Sequence, residues 1–399
     1  MRIIHLSASD KGGAFKMADK LVKHQNANGL MAHHAIFTGN LSNIEITGIN
    51  FLDKIYKFCL HAFEKFIFLF YEKTKDKRFK FSFGYPGVSV KLLKKLTQGF
   101  DIIHIHWINK GFININDLHL LNKSIVWTTH DIWIATGGCH LTMGCNHFEK
   151  ECGNCLYLKR PYPNDLSFDL FKIKKQVVSN LNVAFVAPSV WMFNNLKNSP
   201  ITQSKYLHNI PNGIDTSIFK NIDLLRNEVF TIGFVAANLN DENKALFRLA
   251  NAINLLVSNF LGIKVKLILI GEKKENFKFN FNCAIEQVSF VKNEHEMVNY
   301  YNQMDLLAVT STLETLPTNI IEAGCCGTPS IAFNVGGISD VISSENGILI
   351  EAFDESEFSK SLHYLTKHAM DREEISSFMK QKFSLKNVSE AYLKVYNSF

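Results

Sequence analysis

Glu314 and Glu322 stand with seven residues between them in a stretch, residues 310–324, that follows the short apolar run 304–309. An apolar run of that length suits a buried parallel strand. Pro317 suits the first turn of a helix, where its missing N–H costs nothing. Strand, short loop and helix start together aim backbone N–H groups and the positive end of a helix dipole beyond a sheet edge. Carboxylates accept hydrogen bonds from sugar hydroxyls, while N–H groups hold phosphate. A site with both chemistries suits a nucleotide sugar. An ordinary strand–helix unit with two solvated glutamates is the plainer reading of the same spacing.

Other residues with chemistry fall at similar places. Gly12 and Gly13 lie between a strand over 1–6 and a helical stretch from about 15 to 28, where glycine permits positive φ and close backbone approach to a ligand. The pattern is not Gly-x-Gly-x-x-Gly, which argues against a dinucleotide oxidoreductase. Residues 101–107 contain His104, His106 and Trp107 and alternate as a strand, and 124–131 reads as the next, ending on His130 and Asp131. A histidine at a strand's C-terminal edge either meets substrate or is a satisfied structural group. Cys139, Cys145, Cys152 and Cys155 follow, spaced C-x5-C-x6-C-x2-C. That spacing suits one tetrahedral thiolate site, zinc first, with His140 or His147 able to replace a sulfur. Reduced buried thiols and redox-active thiols or disulfides are the alternatives. A closed four-ligand site leaves no open position, so no catalytic role follows.

The elements that must position these groups are strands alternating with helices. In the first half a further strand covers 182–189, with helical sequence to about 198, and the turn formers in 210–215 mark a domain junction. In the second half strands are expected over 230–235, 265–271, 288–291 and 329–334, and helices over 293–303, 355–369 and 371–399. The pattern implies an α/β fold of two doubly wound, Rossmann-like sheets facing a central cleft. The expected domains are 1–212, carrying the cysteine cluster at 139–155, and 213–385, with 386–399 crossing back to the first. Ligands on such sheets bind beyond the strand carboxyl ends. Gly13, His130, Lys244, Glu314 and Glu322 all fall there.

Composition narrows the class. A chain of 399 residues is too long for one core, and 46% hydrophobic with 20% charged residues describes a globular protein. The formal charge of +6 is modest and compatible with acidic ligands such as nucleotide diphosphates or anionic lipid; nucleic acid is not an expected partner. No signal-peptide pattern and no apolar run of about 18 residues is visible, so a cytoplasmic location with reduced or metal-bound cysteines is expected. Residues 51–80 carry an apolar stripe at helical spacing followed by lysines and an arginine. The segment reads either as a core-facing helix with a solvated loop or as an interfacial helix on the inner face of an anionic membrane.

Glu314 and Glu322, followed by Gly327-x-Pro329 and Gly336-Gly337, resemble the donor-site motif of retaining GT-B glycosyltransferases, the family 4 group. The turn at 211–215 is similar to that family's interdomain linker. The His-x-His-Trp strand, the strand end at His130 and the cysteine cluster resemble one branch of it, although Leu156 stands where proline is usual. The resemblance implies a hexosyltransferase-type enzyme. Glu322 would bind the nucleotide ribose and Glu314 orient the sugar hydroxyls. Lys244 would neutralise the donor diphosphate, assisted by backbone near Gly12, Gly13, Thr315, Leu316 and Pro317, and His130 would contact the transferred sugar. Asn238 occupies the place of a family arginine, with Arg248 a nearby substitute. The resemblance further implies retention of anomeric configuration by same-face attack, with no cofactor required for catalysis. The partners would be a UDP-, GDP- or similar nucleotide sugar and a glycan or lipid-linked acceptor of capsule, O-antigen or exopolysaccharide synthesis. A nucleotide-sugar epimerase of the same fold and a catalytically inactive partner or scaffold are the alternatives.

Overall fold

The structure, a computed structural model, describes residues 1–37, 59, 62–63, 66–71, 81–222, 224, 229–273 and 279–399. Most of the 51–80 segment therefore lies outside the described residues. The chain divides into two compact units: Met1–Pro211 together with Val388–Phe399, and Asn212–Asn387.

Unit 1 is built on six strands: β1 (Arg2–Ser7), β2 (Met31–Ile36), β3 (Ile102–Trp107), β4 (Ser124–Thr128), β5 (Val183–Ala187) and β6 (Tyr206–Asn209). They pair in parallel in the order β2-β1-β3-β4-β5-β6. Helices pack on both faces, so central strands such as β5 are buried at every position and read as continuous apolar sequence. One core layer joins Ile103, Ile105, Trp127 and Phe185 to the crossover segments. The other is closed by the C-terminal helix Leu385–Tyr396, whose Val388, Tyr392, Val395 and Tyr396 lie against Ile3, Ile102 and Val126.

Unit 2 repeats the plan with β7 (Phe230–Asn238), β8 (Val265–Glu272), β9 (Ala284–Val288), β10 (Leu306–Val309), β11 (Ser330–Phe333) and β12 (Gly347–Ile350). Their order is β12-β11-β10-β7-β8-β9, again parallel. Two apolar layers, around Ile320 and Met379 on one face and around Leu249 and Phe358 on the other, enclose the sheet.

Several expected boundaries move. The strand expected at 288–291 is β9, ending at Val288. The helix expected over 371–399 is two helices, Arg372–Phe383 and Leu385–Tyr396, because Ser384 is extended and bridges in parallel to Ile214. Pro317 sits just before its helix as the cap residue, and the helix is Thr318–Cys325. Among the described residues no helix is long and apolar enough to cross a membrane.

Candidate functional site

In unit 2 the strand ends bring the expected residues together. β10 ends at Val309, and the loop that follows carries Glu314 before the helix Thr318–Cys325 begins. Lys244 lies in the turn between β7 and the helix Leu246–Asn259, ahead of the helix rather than within it. Its Nζ donates to Glu314 Oε1 at 2.5 Å. The turn and the loop are stitched together. Asn243 Nδ2 donates to the Leu313 carbonyl at 2.9 Å, and Thr312 Oγ1 donates to Asn243 Oδ1 at 2.6 Å.

Glu314 is held from the other side as well. Gly337 N–H donates to its carbonyl at 2.8 Å. Gly336 has φ +60°, and a Cβ there would fall 2.1 Å from the same oxygen. Only glycine fits that turn without displacing the Glu314 backbone. The Glu-x7-Glu and Gly-Gly signals thus describe one piece of geometry.

Leu316 is buried in the core below and anchors the loop between Thr315 and Pro317. Pro317 gives the helix Thr318–Cys325 no side-chain cap bond; Asn319 Oδ1 accepts from the Ile320 N–H at 3.0 Å, and the dipole and remaining N–H groups at its start favour an anion. Glu322 is in that helix, and its Oε2 accepts from the buried Tyr301 hydroxyl at 2.8 Å. Tyr301, on the helix Glu294–Gln303, was not singled out by sequence. Burial and the Glu322 carboxylate push its hydroxyl well above the ordinary tyrosine range, so it stays a donor.

Asn238 ends β7, and its Oδ1 accepts from the Asn240 N–H at 2.9 Å, which shapes the turn toward Lys244. Arg248 does not take the expected place beside Lys244. Its guanidinium pairs with Glu355 at 2.9 Å and lies over the Phe353 ring at 4.3 Å.

In unit 1, Gly12 (φ +93°) precedes the helix Gly13–Ala27, which starts without a side-chain cap. His130 follows β4, and its role depends on a network that the sequence did not reveal. His130 Nε2 lies 3.0 Å from His106 Nδ1, and His106 Nε2 lies 3.0 Å from His5 Nδ1. His5 Nε2 is 3.0 Å from Gln25 Oε1, and Gln25 Nε2 donates to the Tyr396 hydroxyl at 3.2 Å. Tyr396 in turn meets His104 Nδ1 at 2.7 Å, and His104 Nε2 meets Thr128 Oγ1 at 2.8 Å. Thr128 closes the series with the Tyr392 hydroxyl at 2.8 Å.

Burial keeps these imidazoles neutral: His5 is lowered to about 3 and His130 to about 4, and His104 and His106 lie well below the ordinary range. Beside His130 is a cavity of about 10 Å³ lined by His106, Trp107, Asn109 and Asp131, room for one water-sized group. Asn109 Nδ2 is buried and makes no hydrogen bond among the described residues. Asp131 is committed elsewhere, with Oδ2 2.8 Å from His140 Nδ1 and Oδ1 accepting from the Trp133 N–H.

The four cysteines share one neighbourhood. Cys139 and Cys152 are each raised to about 12 by burial, with smaller contributions from the nearby thiols, and Gly137 N–H donates to Cys152 Sγ at 3.1 Å. The donors are of the right kind for zinc, but the sulfurs do not converge. Among the described residues only His5, His104 and His106 bring three ligand atoms within 4.8 Å of one another. A closed thiolate shell therefore does not fit the spacing as it stands. His140 and His147 are also engaged otherwise, with Asp131 and Ser82 and with the Gly153 carbonyl.

Beside the cluster Lys174 is fully buried. It donates to the Trp133 and Thr136 carbonyls at 2.6 and 3.0 Å and stands 3.7 Å from the Trp133 ring centroid. Burial lowers it from 10.5 to about 7. Between those values the unfolded chain binds the extra proton, so stability rises with pH. Lys174→Met is expected to flatten the pH dependence of melting temperature between about pH 7 and 8.5, a window in which ionisation of unfolded thiols acts on both proteins alike. Equal slopes in the two proteins would contradict this assignment.

Of the 51–80 segment, the described positions 62–63 and 66–71 are helical, and Phe63, Phe66, Leu69 and Phe70 are more than half exposed. Here the core-facing reading fails for these four side chains. The lysines of the expected basic face lie outside the described residues.

Similarity to known proteins divides along the same lines. The family model described as glycosyl transferases group 1 matches residues 229–368, and that described as Glycosyltransferase Family 4 matches residues 61–218. An Escherichia coli (strain K12) protein named for colanic acid biosynthesis glycosyl transfer, WcaC, is 27% identical over 267 residues. That match spans 62% of this chain and 62% of the relative's own length. Among solved structures, sucrose-phosphate synthase from Thermosynechococcus elongatus aligns with a TM-score of 0.69 at 14% identity, over 100% of this chain and 98% of the other. HepE of Anabaena in complex with UDP-glucose aligns with a TM-score of 0.64 at 15% identity, over the whole of both chains. At such identities the likeness is one of fold: two parallel-sheet, Rossmann-like units of GT-B type.

Proposed function

We propose that this glycosyltransferase of the GT-B, family 4 type moves a hexose, with retention, from a nucleotide sugar to a glycan or lipid-linked acceptor in cell-surface polysaccharide synthesis. The observation that carries the reading is in unit 2, where Lys244 and Glu314 pair beyond the ends of β7 and β10 just ahead of the helix Thr318–Cys325, with Glu322 one turn inside that helix. Cation and N–H groups suit a diphosphate, and the two carboxylates suit sugar hydroxyls. The colanic acid relative favours a polysaccharide pathway, and the fold relative solved with UDP-glucose makes UDP-hexoses the first donors to test.

In this reading the C1–O bond to the diphosphate breaks as the acceptor oxygen bonds to C1 on the same face. The acceptor proton passes to the departing phosphate oxygen. Charge grows on the diphosphate, and Lys244 with the N–H groups of residues 315–318 stabilises it. Glu314 orients hydroxyls of the transferred sugar, Glu322 takes the ribose, and His130 is a sugar-contacting residue. The exposed aromatic face at 63–70 is assigned to an anionic membrane surface. The cysteines are assigned a structural part. If they draw together round zinc, purified protein is expected to carry about one zinc per chain and to lose melting temperature on chelation. Zinc-free protein of unchanged stability would leave them as packed thiols.

The test is a melting-temperature series with UDP-, GDP- and other nucleotide sugars. A ligand that binds only the folded chain at 100 times its Kd adds about 2.7 kcal/mol. One donor class is expected to stabilise the wild type and not Glu322→Ala. Absence of any shift at millimolar nucleotide would refute the donor site.

A further inference from the structure

The Gln25 amide, with its oxygen toward His5 and its nitrogen toward Tyr396, gives the imidazole row a direction. A neutral imidazole carries one N–H, so a row of them hydrogen-bonded ring to ring must all point the same way. Gln25 Nε2 donates to Tyr396, which turns Oε1 toward His5. His5 must then donate from Nε2 and accept at Nδ1, so His106 donates from Nε2 and accepts at Nδ1. His130 likewise donates from Nε2 to His106 Nδ1. The proton is thereby kept off His130 Nδ1. With the amide turned over, every proton moves to the other nitrogen and His130 presents Nδ1–H instead.

We propose that Gln25, oriented by Tyr396, is a positioning residue that fixes His130 with Nδ1 bare, so that this nitrogen accepts a hydrogen bond from a sugar hydroxyl. The significance for turnover rests on the glycosyltransferase reading. A bare nitrogen presents partial negative charge to a sugar that becomes oxocarbenium-like, whereas an N–H would present the wrong sign. The elements packed round the series add few competing charges. Asp19 and His34 face each other at 3.9 Å on the helix Gly13–Ala27 and β2, Asp131 follows β4, and Tyr392 and Tyr396 come from the C-terminal helix. Among the described residues the hydrogen-bond partner of the His130 ring is His106, and the Asp131 charge acts on that ring from the next residue.

The direct readout is the ring-nitrogen spectrum of the full chain labelled with 15N-histidine, with His130 assigned by its loss in His130→Asn. The wild type is expected to show His5, His106 and His130 protonated on Nε2. Gln25→Glu keeps an acceptor on His5 and is expected to preserve that pattern. Gln25→Leu removes it and is expected to give mixed tautomers at His130. It should also lower kcat by about ten-fold or more while donor Kd stays within about two-fold. Tyr396→Phe frees the amide to turn and is expected to mix the tautomers as well, which keeps the test open if Gln25→Leu does not fold.

An Nδ1-protonated His130 in the wild type would overturn the proposal outright. So would an unchanged wild-type pattern in a folded Gln25→Leu or Tyr396→Phe chain. If the chain transfers no sugar at all, the proposed function fails, and the nitrogen spectrum still decides the role of Gln25.

Discussion

Glu314→Gln is expected to lower kcat/KM by about two to three orders of magnitude, the usual cost of removing one preorganised electrostatic group at a reacting centre. The amide keeps the shape of the side chain, so the loss measures charge. Two consequences should appear together. Lys244 loses the carboxylate 2.5 Å away and the sugar loses an anionic hydrogen-bond acceptor. The two side chains are only 26% and 14% exposed, so the variant's melting temperature is measured alongside its kinetics to separate lost charge from lost folding. Lys244→Met should be similarly impaired. The double variant should fall well short of the product of the two losses, since groups in contact do not act independently. The check is steady-state kinetics on the donor picked out by melting temperature. Glu314→Gln turnover within ten-fold of wild type would remove Glu314 from the reaction.

Acid is expected to unfold unit 1 near pH 5 and leave unit 2 standing. His5, His104 and His106 are fully buried and held neutral by desolvation, reinforced by one another's charge. Unfolding returns each to an ordinary value near 6.5. The folded-state pKa is the lower one, so the unfolded chain binds more protons as pH falls below 6.5, and stability is lost in that direction. Each group costs about 1.4 kcal/mol per pH unit, so three cost about 6 kcal/mol by pH 5. Whole domains are stable by only about 5–15 kcal/mol. Among the described residues unit 2 has no buried histidine cluster of this kind. All four tryptophans, Trp107, Trp127, Trp133 and Trp191, are in unit 1, so their fluorescence follows that unit alone. Emission unchanged down to pH 4 would refute the prediction.

The difference between what the chain spells out and what it hides is physical. Glu314, Gly336 and Gly337 lie close in sequence, so the contact of the glycine turn with the Glu314 backbone has a local signature in the chain. The parallel sheets were legible because strands buried on both faces read as unbroken apolar runs. The imidazole series was not. His5 and His106 are 101 residues apart, and Gln25 and Tyr396 are 371 apart, distances at which no local pattern survives. Tyr301 and Lys174 were missed for a related reason: each is a polar side chain on an otherwise ordinary helix, and only its burial gives it a role. Cysteine spacing suggested one thiolate neighbourhood, and in the structure these thiols influence one another without three ligand atoms coming within 4.8 Å. Arg248 was placed beside Lys244 by sequence proximity, and the structure turns it to Glu355 instead.

The C-terminal helix has a consequence for synthesis. The ribosome makes most of unit 1 first, then all of unit 2, and only afterwards Val388–Phe399, which belong to unit 1. Until they emerge, His104 and Gln25 lack the hydroxyl of Tyr396, and Thr128 lacks that of Tyr392. Buried polar groups without partners cost about 1–3 kcal/mol each. The nascent first unit is thus held short of its final state while the second folds, although domains usually complete in order of synthesis. The unit begun first is the unit finished last.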